Sequence, residues 1–268
     1  MLATTEIALG NRVVRTARGV ALALVLSCGA ALPGAQVNEG AAAAQPRPTG
    51  DETVDRARAA LARGEQARAE KLLSSPHRNG AAASLLGTIL LGAGRTAEAL
   101  AVLEEACRKL PGDPYPMGLK STALSELGRP QEALAAAEEA RKLDPRGLDA
   151  LRLLSELHAR AKRYRELVGV SEEIVRRDPK DPVAPFRAAL GEAGQGRFGQ
   201  ARRWALQAAQ LAPSEPRVWL LLGRIEERLG KRADAKKRYE RAQAEGLSAA
   251  DLMEAELGRS PGRREDGR

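Results

Sequence analysis

Residues 128–145 read GRPQEALAAAEEARKLDP, and two further stretches of the chain follow the same plan. They are GRTAEALAVLEEACRKLP at 94–111 and GRFGQARRWALQAAQLAP at 196–213. Each begins at glycine, carries small or apolar residues at helical spacing, and stops at proline. Glycine readily adopts the positive φ that ends a helix, and proline cannot continue a helix. Each stretch is therefore predicted to be one helix between a turn and a break.

Landmark residues recur through the chain at a constant interval of 34. The turn residues are Gly94, Gly128, Gly196 and Gly230, with Lys162 in the missing slot, and the prolines are Pro111, Pro145, Pro179 and Pro213. Small residues form two more series, which are Ala99, Ala133, Ala201 and Ala235, and Ala106, Ala140, Ala208 and Ala242. Series in one register indicate a repeated unit, and its copies must stack because one copy cannot bury its apolar face alone.

The composition favours helices over strands. Hydrophobic residues make up 43% of the chain and aromatic residues only 3%, so alanine and leucine supply most of the apolar surface. Strands prefer β-branched and aromatic residues, whereas alanine and leucine are strong helix formers. Charged residues make up 29%, which predicts amphipathic helices. The predicted fold class is all-α.

The period and its landmarks resemble the tetratricopeptide repeat, a helix–turn–helix unit. Trp219 and Leu222–Gly223 match the bulky residue and the Leu–small pair of the family's first helix, and Leu86–Gly87 matches the pair in an earlier repeat. The resemblance covers about residues 50–249. It implies a right-handed solenoid of about six repeats, divided as 50–79, 80–113, 114–147, 148–181, 182–215 and 216–249.

Several segments depart from the repeat. The first unit is short, and glycines at 191, 194 and 196 predict that the array is softest around 182–199. Residues 250–258 are predicted to form a helix that caps the last repeat. Residues 36–49 are predicted to be a flexible linker, and residues 259–268 a disordered tail.

Residues 1–35 have the pattern of an export signal. Arg12, Arg15 and Arg18 precede an apolar run at 19–32, which is shorter than the roughly 20 residues that span a bilayer. VLSC at 25–28 resembles a bacterial lipobox, with Cys28 as the lipidated residue, although Leu26 is bulkier than usual there. Cleavage at the small residues within 30–35 is the other processing route, and a buried helix of the fold is the non-export alternative.

No pattern in the chain predicts catalysis. His77 is assigned to a loop and His158 to a packed structural role, while GEAGQG at 191–196 lacks the lysine of a phosphate-binding loop. Acidic pairs such as Glu138–Glu139 recur at the repeat period, which indicates a solvated helix face. Cys107 is predicted to be a packing residue. We expect no enzyme activity, no cofactor, no metal and no small-molecule substrate.

The first helices of tetratricopeptide repeats usually line a groove that takes a peptide or a partner helix, so the resemblance implies binding there. In this register the candidate residues of the second half are Arg152, Leu153, Arg187, Arg217, Leu220, Leu221 and Arg224. Arginine binds carboxylates in a fork, which points to an acidic or C-terminal peptide segment. Reversing Arg152, Arg187 and Arg224 to glutamate is expected to abolish partner capture while leaving helical content and melting unchanged. The alternative is that these arginines only keep the surface soluble.

The sequence therefore predicts a protein-interaction scaffold, exported to a bacterial periplasm or held there as a membrane-anchored lipoprotein. The alternative is a cytoplasmic regulatory adaptor with an unprocessed N-terminus. The formal net charge of +8 raises nucleic-acid binding as a further alternative. That alternative is disfavoured because seven aromatic residues are too few for a base-stacking platform.

Overall fold

A computed structural model describes residues 51–247, and within this range it contains twelve α-helices and no strand. The all-α prediction is confirmed. The predicted signal, Cys28, the linker, the capping helix and the tail lie outside the described residues. The helices are α1 Glu52–Ala62, α2 Gln66–Leu73, α3 Gly80–Gly92, α4 Thr96–Lys109, α5 Pro114–Glu126, α6 Pro130–Leu143, α7 Asp149–Arg160, α8 Tyr164–Arg177, α9 Val183–Gly194, α10 Phe198–Leu211, α11 Pro216–Arg228 and α12 Arg232–Ala244.

The helices pair into hairpins, and the hairpins belong to two compact units. The described part of the first unit, residues 51–146, contains the hairpins α1–α2, α3–α4 and α5–α6. The described part of the second unit, residues 147–247, contains α7–α8, α9–α10 and α11–α12. Within each unit, the second helix of one hairpin contacts the first helix of the next. Each unit is thus a stack of three hairpins.

The turn inside each hairpin uses the left-handed backbone conformation. Gly64, Gly94, Gly128, Gly196 and Gly230 have φ between 73° and 77°. Lys162 lies at the equivalent position with φ of 53°, a left-handed conformation that residues with a Cβ atom rarely adopt. The 34-residue series of turn residues therefore marks the hairpin turns, as the sequence indicated.

Small residues let the helices of a hairpin approach closely. All eight members of the two alanine series are buried, with at most 3% of any of them exposed. Gly87 on α3 shows the same constraint, because a Cβ atom there would lie 2.5 Å from Leu103 of α4. Cys107 on α4 is partly buried, and burial raises the pKa of its thiol. None of the helices between residues 51 and 247 combines the length and apolarity needed to cross a membrane.

Candidate functional site

The candidate binding face lies on the first helices of the second unit, α7, α9 and α11. Helix α9 contacts both of the others, so the three helices form one continuous layer. Positions 34 residues apart lie at equivalent places on successive helices. One such row is Arg152, Phe186 and Leu220, and the next is Glu156, Leu190 and Arg224. We refer to these six residues as the α7–α9–α11 face. Its α7 end is ionic, and its α9 and α11 part is apolar with one arginine.

The seven residues predicted from the sequence all lie on these three helices. Arg152, Arg217 and Arg224 are exposed, while Leu153, Arg187, Leu220 and Leu221 are partly exposed. Their surroundings, however, differ greatly. Two of the arginines bond to neighbouring elements of the fold, one pairs with a residue close in sequence, and one has no polar partner between residues 51 and 247.

Arg152 joins α7 to the segment before α9. Its Nε lies 3.0 Å from Oδ2 of Asp181, and its Nη2 lies 3.0 Å from Oδ2 of Asp178. Asp181 is 7% exposed, and its Oδ1 accepts hydrogen bonds from the backbone N–H groups of Val183 and Ala184. The carboxylate thus satisfies the free donors at the start of α9 while pairing with Arg152. A glutamate at position 152 would face two carboxylates.

Arg187 lies between α9 and α7. Its Nη1 donates to the backbone oxygen of Arg152 at 3.0 Å and to Oγ of Ser155 at 2.5 Å, and its Nη2 lies 3.7 Å from Oε2 of Glu156. Burial lowers the pKa of the Arg187 guanidinium from its ordinary value, and nearby Arg217 acts in the same direction. Arg187 therefore holds two helices of the layer together.

These contacts correct one expectation from the sequence. Reversal of Arg152, Arg187 and Arg224 was expected to leave melting unchanged, but the first two substitutions would each break contacts between elements and oppose like charges. The triple reversal would destabilise the second unit, so a loss of binding could not be assigned to the face. Their role in binding stays a prediction.

Arg224 on α11 has a different environment. Its side chain is exposed and makes no ion pair or hydrogen bond with any residue between 51 and 247. Leu220 and Leu221, four and three residues before it, lie next to it on the helix surface and are partly exposed. Arg217, by comparison, pairs with Glu215 at 2.7 Å. Arg224 is thus a guanidinium beside apolar surface, with its donors available to a ligand.

A buried carboxylate that the sequence analysis did not single out anchors α11. Glu226 is fully buried, and its Oε1 and Oε2 lie 3.0 Å from Nε of Arg202 on α10 and 3.3 Å from Nε of Arg238 on α12. Arg238 also lies over the ring of Trp219, 5.6 Å from its centroid. The indole N–H of Trp219 donates to the backbone oxygen of Pro213 at 2.7 Å. This network fixes the helix that presents Arg224.

The remaining candidates from the sequence have structural surroundings. His158 is 6% exposed on α7, in agreement with the packed role assigned to it. Glu138 and Glu139 lie on α6, where Glu138 is partly exposed and Glu139 is exposed, whereas the neighbouring Ala137 and Ala140 are buried. The described residues hold no group of three or more His, Cys, Asp and Glu side chains placed to bind a metal ion.

Comparison with known proteins agrees with the fold. Residues 54–114 and 119–182 match a family model described as tetratricopeptide repeat. A solved tetratricopeptide repeat protein from Parabacteroides merdae covers 75% of this chain and 81% of its own, with 20% identity and a TM-score of 0.63. MamA from Desulfovibrio magneticus covers 68% and 97%, with 23% identity and a TM-score of 0.58.

These structural similarities, both below 25% identity, concern the fold alone. None of the curated proteins matches the chain. The matched repeats, the hairpin geometry and the 34-residue register agree with one another, and the described part of this chain is therefore built from repeats of the tetratricopeptide type.

Proposed function

We propose that this protein is a non-enzymatic scaffold of a bacterial cell envelope, which binds a peptide or a partner protein on the α7–α9–α11 face. Tetratricopeptide repeats support a role in protein–protein interaction. The observation that carries the choice of face is Arg224, an exposed guanidinium with no partner among the described residues, beside Leu220. This combination suits a ligand that has an apolar side chain next to a carboxylate.

The apolar part of the face extends from α11 to α9. Phe186 and Leu190 lie at the positions equivalent to Leu220 and Arg224, and both are partly exposed. At the α7 end, Arg152 and Glu156 already have intramolecular partners. The favoured ligand therefore places apolar side chains against α9 and α11 and its acidic group at Arg224.

Replacing Arg224 with glutamate is expected to reduce partner capture at least about tenfold, because the carboxylate would repel an acidic ligand where the guanidinium would have paired with it. The measurement is recovery of bound proteins from the host's envelope fraction on immobilised full-length chain, quantified for the parent and the variant. Arg224 makes no ion pair or hydrogen bond with any residue between 51 and 247, so melting should stay unchanged.

Arg203→Glu is the matched control for this experiment. Arg203 is an exposed arginine of α10, which is the second helix of its hairpin. Its replacement by glutamate gives the same change of charge at a position away from the α7–α9–α11 face. Capture should survive in this variant. Equal capture by the parent and Arg224→Glu would refute binding at Arg224. Equal loss in both variants would mean that capture depends on the net charge of the protein and not on the α7–α9–α11 face.

The envelope location rests on the N-terminal pattern of Arg12, Arg15 and Arg18 followed by the apolar run and VLSC at 25–28. We expect a mature chain that begins at an acylated Cys28, and the intact mass of protein from the host's membrane and soluble fractions tests this. A soluble chain cut within 30–35 would make it a free exported adaptor. An uncut chain beginning at Met1 would refute export and leave the cytoplasmic regulatory adaptor.

A further inference from the structure

The turns inside the hairpins differ sharply in charge between the two units. Each turn is taken as a window of seven residues, from two before the turn residue to four after it. In the first unit these windows, 62–68, 92–98 and 126–132, hold four Lys and Arg against four Asp and Glu. In the second unit the equivalent windows, 160–166, 194–200 and 228–234, hold eight against two. The fold is the same at these positions, so the difference lies in the side chains alone.

Pairing increases the contrast. In the first unit the turn arginines have acidic partners, as in the pairs Arg63–Glu65, Arg95–Glu98 and Arg129–Glu132. In the second unit all eight basic side chains are exposed, and they are Arg160, Lys162, Arg163, Arg165, Arg197, Arg228, Lys231 and Arg232. Five of them make no ion pair with any residue of the described range, namely Lys162, Arg163, Arg165, Lys231 and Arg232. Their charge is therefore available to a partner.

Side-chain contacts join the three turns of the second unit into one edge. Nε2 of Gln195, in the α9–α10 turn, donates to the backbone oxygen of Tyr164 at the start of α8, at 3.2 Å. The guanidinium of Arg228, at the end of α11, lies 4.6 Å from the ring centroid of Phe198 at the start of α10. The eight charges thus follow one continuous edge, which we call the basic turn edge. Leu229, 38% exposed, lies on the same edge.

We propose that the basic turn edge docks on a bilayer surface that contains anionic lipids. Its charges are distributed over three successive turns rather than gathered around one pocket, which suits a plane of phosphate groups better than a single peptide. Basic side chains near an anionic bilayer add their attraction roughly one by one, so a row of eight gives substantial binding. The edge consists of turn residues, whereas Arg224 lies within α11, so docking in this way leaves the α7–α9–α11 face to a partner.

The test is sedimentation of the full-length protein with vesicles of phosphatidylcholine alone or mixed with phosphatidylglycerol. The parent should partition more strongly onto the anionic vesicles, and added salt should weaken this preference. In the triple variant Arg165→Gln, Lys231→Gln, Arg232→Gln, the ratio of partitioning onto anionic and onto phosphatidylcholine vesicles should fall at least about tenfold. Insertion of the apolar N-terminal run would contribute to both kinds of vesicle, so the ratio between them isolates the charge effect.

The control removes three charges from the same unit but away from the turns, as Arg203→Gln, Lys236→Gln, Lys237→Gln. It should keep the anionic preference of the parent. A parent without such a preference, an edge variant that retains it, or equal loss in both variants would overturn the proposal. Failure here would leave the proposed partner binding untouched, because that experiment depends on Arg224.

Discussion

Replacing Glu226 with leucine is expected to destabilise the protein by about 2–3 kcal/mol, although leucine is the more hydrophobic residue. The carboxylate is fully buried and pairs with both Arg202 and Arg238, so its removal leaves two guanidinium groups without their partner. Breaking a buried ion pair from one side costs about 3–5 kcal/mol. The expected loss is smaller here because about 30% of each arginine side chain reaches solvent. Urea unfolding followed by circular dichroism measures it.

A triple variant separates the ion pairs from the shape of the site. Glu226→Leu combined with Arg202→Met and Arg238→Met removes all three charges and keeps most of the volume, and such replacements are often neutral. We expect it to recover most of the stability lost by Glu226→Leu, apart from the contact of Arg238 with Trp219. If the single variant matched the parent in stability, the buried network would contribute nothing. If the triple variant were the weaker of the two, packing rather than charge would explain the loss.

The register that revealed the repeats also contains the position of Glu226. Counting back by 34 from Glu226 gives Glu192, His158, Leu124 and Leu90, and all five side chains are buried on first helices. A charged residue where earlier repeats have leucine was the available signal for a buried ion pair. Its partners could not be predicted, because Arg202 and Arg238 come from the two flanking helices, among 43 Lys and Arg residues in the chain.

The same reason explains which part of the candidate site could be predicted. Helix positions follow from the period, so the sequence correctly assigned Arg152, Arg187 and Arg224 to first helices. Whether an arginine is open depends on side chains that lie far away in sequence, such as Asp178 and Asp181 for Arg152. Turn glycines and closely packed alanines could be predicted, because the residue type itself permits the positive φ or the close approach of helices. Long-range ion pairs could not be predicted, because the type of one residue does not say which distant residue is its partner.

Replacing Gly191 with alanine is the second large effect that we expect, with a net loss of up to about 2 kcal/mol. From helix propensity alone the substitution should stabilise α9 by about 1 kcal/mol. A Cβ atom at this position, however, would lie 2.7 Å from Cγ2 of Val168 and 2.9 Å from the backbone oxygen of Tyr164, both on α8. The backbone oxygen of Tyr164 cannot rotate away as a flexible side chain could, so α8 and α9 must move apart. Overpacking of this kind costs about 1–3 kcal/mol.

Gly169→Ala is the matched control, because Gly169 lies within α8 and a Cβ atom there meets nothing within 4 Å. This variant should gain about 1 kcal/mol, so the two substitutions should change stability in opposite directions. Chemical denaturation of both variants beside the parent gives the comparison. The sequence predicted that glycines make 182–199 soft, whereas the contacts of Gly191 show that one of them permits close packing of α9 on α8. Stabilisation by both alanines would mean that the α8–α9 contact yields easily, and would favour softness as the reason for glycine at position 191.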